Sequence, residues 1–320
     1  MPAATGSPSL ADYDTVLINS SAGKDSQAML THLVDLADRQ GVPRRRLVVV
    51  HADLGRVEWP GTRALAQEQA AAYGLRFETV ARSEDLLDQV RTRRRTLDAV
   101  AAALHQEAAA LAAAGYPGFA GLATELAGKK TNTPAWPSST ARFCTSDQKT
   151  SQVAKLMTRL AAEHRTAHPA AGPVRILNCL GIRAVESVAR AKKVPFGLDG
   201  AATNGQRIVD RWLPIFDWSD ERVWATIRRS GVRHHPAYDA GMPRLSCVFC
   251  VLAGRRELVL AARMNPGLLQ DYLAVEQQVR SDFKHGLSMK DIAAAAKAIG
   301  PVSPARPDDP DGRLDSDTSP

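Results

Sequence analysis

The chain is poor in aromatic residues: Phe, Trp and Tyr make up 5% of its 320 positions. Alanine fills many of the apolar positions instead, which favours helices. No stretch approaches the ~20 apolar residues needed to cross a bilayer, so no membrane partner is expected. The N-terminus, MPAATGSPSLADYD, has no basic segment followed by an apolar one and does not read as a signal peptide; a cytoplasmic location is the expectation. Cysteine is also scarce, at four residues: Cys144, Cys179, Cys247 and Cys250. In a cytoplasmic chain these are not expected to form disulfides, so metal, cluster or catalytic use competes with plain burial. There is no internal repeat.

Basic residues, by contrast, are in excess. The formal net charge is +7 and the pI is near 9.4. Residues 301–320 are acidic, so the body is more basic than the total. That balance suits phosphate-rich ligands, nucleotide or nucleic acid. An arginine-rich proteome would produce it as well.

The apolar pattern predicts strands at 14–20, 46–55 and 75–80, with helices between them that Gly41 and Gly74 close. Strand, helix, strand, helix, strand with short connections means a doubly wound parallel sheet. The rhythm then breaks. Residues 83–115 read as an alanine-rich helix, 116–140 as a loop-rich insertion, and 146–165 as a helix. A fourth strand follows at 174–182 and a fifth at 206–218. Ser219 then caps a helix. The expectation is a five-stranded α/β domain over 11–230 with an insertion at about 83–140. A helical region with the CxxC follows over 231–300, between a disordered lead at 1–10 and a disordered acidic tail at 301–320.

The first strand runs straight into "SSAGKDSQ". A helix start leaves backbone N–H groups unpaired, which makes an anion site. Gly23 lets backbone approach a ligand, Ser20, Ser21 and Ser26 offer hydroxyls, and Lys24 offers a charge. It is not a Walker A loop, because no glycine stands four residues before the Gly-Lys pair and Asp25 follows the lysine. Asp53 ends the second strand at the same sheet edge, where Mg²⁺ or a ribose hydroxyl would be bound. Arg142, Cys144 and Lys149 lie in "PSSTARFCTSDQK". Gly181, Arg183 and Arg190 lie in "LGIRAVESVAR".

Ser21-Ala22-Gly23-Lys24-Asp25-Ser26 resembles the S-G-G-K-D-S PP-loop of ATP pyrophosphatases, with Ala22 in place of a glycine. Together with D-x-G after strand two, R-x-C-T-x-x-x-K, G-I-R-x-x-E-S-x-x-R and "LPIFDWSDERVWATI", the chain resembles the phosphoadenylyl-sulfate (PAPS) reductase branch of the adenine nucleotide α-hydrolase superfamily. The resemblance implies a Rossmann-type, HUP-like fold. It implies that Ser21, Gly23, Lys24, Asp25 and Ser26 hold nucleotide phosphates, that Asp53 lies near the nucleotide, and that Arg142, Lys149, Arg183 and Arg190 meet phosphate or substrate anions. Ser20 and Gly181 join the nucleotide set, and Lys24, Asp25, Asp53, Cys144 and Arg183 are the catalytic candidates.

Reductases of this branch use a cysteine in an E-C-G-L-H tail, and no cysteine follows Cys250. The expectation therefore tilts to ATP-dependent adenylation and sulfur transfer, similar to DNA phosphorothioation enzymes of the DndC and SspD types and to tRNA thiolases. ATP (or PAPS or APS) and Mg²⁺ are the implied ligands. A nucleic-acid acceptor and a sulfur donor such as a cysteine desulfurase are the implied partners. Cys144, Cys179, Cys247 and Cys250 are candidate ligands of a [4Fe–4S] cluster, or of zinc. A PAPS or APS reductase and a non-catalytic ATP-binding subunit are the rival readings. Arg91, Arg93, Arg94 and Arg95, with Lys129 and Lys130, either track a nucleic-acid backbone or form a solvated helix face. His234, His235 and Tyr238 read as loop residues.

Overall fold

The computed structural model describes residues 8–169 and 172–300. The acidic tail and residues 1–7 of the lead lie outside them. Leu10, at the end of that lead, is fully buried.

Six strands form one sheet in the order β3-β2-β1-β4-β6-β5. They are β1 (Thr15–Asn19), β2 (Leu47–Asp53), β3 (Arg76–Ala81), β4 (Val174–Cys179), β5 (Phe196–Leu198) and β6 (Arg207–Trp212). The count exceeds the predicted five by β5, which pairs antiparallel to β6. Three residues with a central Gly197 carry no strand periodicity to read. The remaining pairings are parallel.

β1 and β2 are continuous apolar runs because both faces of the sheet are covered. On one face Val16, Ile18 and Val49 pack with Leu30, Leu33 and Val34 of α1 (Lys24–Arg39) and with Val223 and Ile227 of α6 (Asp220–Ser230). On the other, Leu17, Val48 and Val50 meet Val153, Leu156 and Leu160 of α5 (Ser151–Ala167). α2 (Thr62–Ala71) links β2 to β3.

A third core joins the insertion to the C-terminal region. Leu86, Leu87 and Val90 of α3 (Leu86–Ala113) pack with Val248, Phe249 and residues of α7 (Arg255–Met264), α8 (Pro266–Val279) and α9 (Met289–Ile299). Trp136 stacks on Tyr272 at 5.6 Å.

The loop expected over 116–140 is half helix: α4 spans Pro117–Asn132. Gly118, Gly121 and Gly128 conceal it from propensity. Buried Ala120, Ala123 and Ala127 give it a face against α3, with Pro117 at the first helical position. Arg94 of α3 donates to the carbonyls of Thr131 and Thr133 at 3.0 and 3.1 Å, closing its C-terminal end. Among the described residues no helix is long and apolar enough to cross a membrane.

Candidate functional site

The strand order reverses direction at β1, whose neighbours are β2 and β4. In an open parallel sheet this is the switch point, where a crevice opens at the strands' carboxyl ends. The turn Ser20–Gly23 leaves β1 there, and Gly181 and Arg183 leave β4 beside it.

The turn is tightly drawn. Ser26 Oγ donates to Gly23 O at 2.9 Å and accepts the Ser21 N–H at 3.2 Å. Ala22 adopts φ 54°, the left-handed region, where the PP-loop pattern has glycine. Gly181 lies so close to α1 that a Cβ there would stand 3.1 Å from the backbone of Asp25 and Ser26.

Charge is arranged in a chain. Lys24 Nζ lies 2.6 Å from Asp220 Oδ1. Arg183, fully buried, reaches Asp25 with Nε at 2.7 Å and Asp220 with Nη2 at 2.7 Å, and donates to Trp218 O at 3.1 Å. Burial works against its charge, but Asp25 and Asp220 outweigh burial and hold the guanidinium above its ordinary value. Asp220 was visible in the sequence only as a first-turn carboxylate; its cation partners lie far away along the chain.

His51 is a second residue that pattern reading passed over, fully buried in β2. Its ring joins Ser20 O at 3.0 Å through Nδ1 and Glu58 at 3.0 Å through Nε2. Ser20 O and an ionised Glu58 are both acceptors, which suits the ring in its protonated form. Burial alone would lower its pKa; the Glu58 carboxylate, Ser20 O and Asp53 outweigh that and raise it. Asp53 itself accepts the Gly55 N–H at 2.8 Å and stands 3.8 Å from Arg63.

Tyr238, read from sequence as a loop residue, closes over the turn. Its hydroxyl accepts the Lys24 N–H at 2.8 Å and the Leu245 N–H at 3.3 Å. Leu245 also packs against Gly23, where an added Cβ would meet its Cβ at 3.3 Å. His235 is structural: burial pulls it down to about 4, and it accepts the Ala237 N–H at 3.1 Å.

Cys144, Cys247 and Cys250 pack around the core that joins the insertion to the C-terminal region. They also influence one another electrostatically. Burial raises the Cys144 thiol and pushes Cys247 up to about 12. Lys149 acts on both, and Arg142 on Cys144. Val248 N–H donates to Val57 O at 2.9 Å, tying the CxxC to the loop that carries Glu58.

Cys179 is not with them. It is fully buried at the end of β4 among the α1-side core, its Sγ 3.9 Å from Leu177 O, and burial alone raises it. The strand alternation points this thiol into the sheet core, so the four-thiolate set does not assemble. Among the described residues, no group of three His, Cys, Asp or Glu side chains is placed to hold a metal ion.

Arg190 pairs with Glu186, which also accepts the Arg183 N–H at 2.9 Å, and so lies beside the turn rather than in it. The basic run on α3 is mostly committed within the fold. Arg91 pairs with Asp88 at 2.8 Å, Arg94 with Asp98 at 2.7 Å, and Arg95 donates to Thr92 at 2.9 Å. Arg93 is the exception.

Comparison with known proteins finds partial matches. A phosphoadenosine phosphosulfate reductase domain matches residues 140–253. An uncharacterized 37.8 kDa protein of Escherichia phage 186 is 31% identical over 123 residues, 38% of this chain and 34% of that protein. The adenosine 5'-phosphosulfate reductase of Allochromatium vinosum is 37% identical over 73 residues (23% of this chain, 27% of that one). That of Neisseria meningitidis is 36% identical over 65 residues, covering 20% and 25% of the two chains. The chain thus spans at most 34% of the length of these curated relatives. A phosphoadenylyl-sulfate reductase structure from Candida auris, a phosphate complex, aligns over 74% of this chain and 83% of its own at 13% identity, with a TM-score of 0.39.

Proposed function

We propose that this chain, a member of the PAPS reductase-like superfamily, binds ATP at the β1–α1 turn, adenylates an acceptor and transfers sulfur to it. One observation carries the reading: Cys144 packs against the same core as Cys247 and Cys250, and the segment of the CxxC is bonded to the phosphate turn. Tyr238 and Leu245 form one link, from Lys24 to the CxxC. Ser20, His51 and Glu58 form the other.

In this reading Lys24, the first amides of α1 and the Ser21 and Ser26 hydroxyls take the phosphates, and Asp53 is the carboxylate that would hold Mg²⁺. An acceptor oxygen attacks the α-phosphate and pyrophosphate leaves, with charge stabilised by Lys24 and Arg183. A cysteine persulfide charged by a desulfurase-type donor then attacks the adenylated carbon and displaces AMP. A second cysteine attacks the carrier sulfur of the resulting mixed disulfide, which releases the thiolated acceptor and leaves a Cys–Cys disulfide for an external thiol reductant to reopen. Arg142 and Lys149 steer the anionic intermediate toward Cys144. Thiol donors suit a [4Fe–4S] cluster or zinc chemically, but the described side chains are not arranged to hold one, so no step is routed through a metal. The likeness to DndC- and SspD-type enzymes and a nucleic-acid acceptor belong to this proposal.

Purified protein with Mg²⁺, ATP and candidate acceptors should form AMP and pyrophosphate, and Lys24→Ala should abolish both nucleotide binding and turnover. Cys250→Ser should form AMP yet transfer no sulfur. No AMP with any acceptor, together with unaltered nucleotide binding in Lys24→Ala, would overturn the reading.

A reductase acting on APS is the second reading, favoured by the two relatives that carry that name. Sulfite release from APS with a thiol reductant would decide for it. Tight ATP binding without turnover would instead mark a nucleotide-binding subunit.

A further inference from the structure

Arg93 stands apart from the other cations of α3. Its guanidinium lies 5.0 Å above the Phe143 ring. Its Nε is buried without a hydrogen-bond partner, as is that of Arg94, whose other nitrogens are engaged. Among the described residues it makes no ion pair. It lines a groove of about 250 Å³ between α3 and the turn Phe143–Thr145, with Gln89, Thr92, Thr96 and Asp147.

A buried donor on a permanently charged group is costly to leave unpaired. The other polar groups of the groove are already satisfied. Asp147 accepts from Gln89 at 2.7 Å and from Ser146 at 2.6 Å, and Thr92 donates to Glu84 at 3.2 Å. Two further cations without a carboxylate partner border the same turn. Among the described residues the Arg142 side chain bonds only to Thr145, at 3.3 Å, and the Lys149 side chain has no hydrogen bond or ion pair. Phe143 is adjacent in sequence to Cys144, which does not itself line the groove, so the groove borders the segment that carries a thiol of the proposed sulfur carrier. Guanidinium forks match oxyanions, and a guanidinium lying on an aromatic ring is held in one orientation before the ligand arrives.

We propose that this groove is a second-substrate subsite in which Arg93, oriented on Phe143, holds a phosphate ester next to the segment that carries Cys144. The site rests on the sulfur-transfer reading and gives its acceptor a chemical class. The phosphate belongs either to a free phosphorylated molecule or to a nucleic-acid strand, and the test separates the two.

The probes are inorganic phosphate and a short fluorescein-labelled single-stranded oligonucleotide. Each is titrated into the full chain carrying Lys24→Ala, so that the turn does not contribute. Adding Arg93→Ala should weaken binding about tenfold, a change of about 1.4 kcal/mol. Arg93→Lys should recover part of it, and Arg95→Ala, two residues along the same helix and on its other side, should change nothing. Loss with the oligonucleotide alone assigns the phosphate to a strand; loss with both assigns it to a free ester. In the otherwise wild-type chain, Arg93→Ala should leave ATP binding unchanged. A chain that binds neither probe, or binds both equally with and without Arg93, overturns the subsite. Should ATP fail to bind anywhere while the Arg93 effect persists, the nucleotide reading falls and the anion site stands. Arg93→Lys keeps the test decisive if Arg93→Ala folds poorly.

Discussion

Lys24 Nζ lies 2.6 Å from Asp220 Oδ1, joining the first residue of α1 to the first residue of α6. Asp220 also holds Arg183, so one carboxylate restrains two cations that are themselves nearly or fully buried. Asp220→Asn removes charge-assisted bonds of about 1.5–3 kcal/mol each, partly offset because Asp220 itself is half exposed. Urea denaturation should report a loss of about 1–3 kcal/mol. Nucleotide binding should hold or tighten, since a competitor for Lys24 is gone. Weaker binding would mean that Asp220 positions Lys24 rather than competes for it.

His51 gives the fold a pH signature. Its folded pKa is raised above 6.5 because Glu58 and Ser20 O outweigh burial. Stability from that pair is therefore complete below the ordinary imidazole value and is lost as pH climbs through the folded one. Thermal midpoints measured from pH 6 upward should fall in the wild type. In Glu58→Gln that fall should be much smaller, because the main raising group is gone. Identical pH profiles for the two proteins would show that the imidazolium is not formed.

Tyr238→Phe strips an acceptor from the Lys24 and Leu245 N–H groups. Leaving them unpaired costs about 1–3 kcal/mol. A nucleotide phosphate can replace the hydroxyl at Lys24 N, so ATP should raise the melting temperature of Tyr238→Phe more than that of the wild type. An equal rise would place the phosphate elsewhere.

Gly181→Ala and Ala22→Gly should differ in size of effect. Gly181→Ala drives a methyl to 3.1 Å from α1 backbone, which cannot turn aside as a side chain would. Overpacking of this kind costs about 1–3 kcal/mol, and nucleotide affinity should fall with it. Ala22→Gly relieves about 1–2 kcal/mol of left-handed strain. It loses a buried methyl of about 0.8 kcal/mol and adds about 0.5–1 kcal/mol of chain entropy. The net change should lie within about 1 kcal/mol of zero, readable in the same urea titration.

The strands of the parallel sheet, the sharp β1–α1 turn and the Ser219 cap were legible because each rests on neighbours in sequence. Ser219 Oγ does accept the Arg222 N–H, at 3.3 Å. α4 was hidden because its stability comes from alanines packed on α3, not from propensity. Tyr238 and Asp220 were hidden because their partner, Lys24, lies 214 and 196 positions away. His51 left a faint signal, a lone imidazole in an apolar strand two residues before Asp53. Cys179 misled, since its thiol counts toward a ligand set only if its strand turns it outward, and the register of β4 turns it inward.

The Tyr238 hydroxyl bonds Lys24 on one side and Leu245, two residues from Cys247, on the other. A ligand that replaced the first bond would bear on the second through that shared hydroxyl. Such coupling is reciprocal: whatever factor nucleotide exerts on the chemical state of the CxxC, that state must exert on nucleotide affinity. Thiol loading and nucleotide exchange would then be phases of one cycle, each setting the threshold for the other.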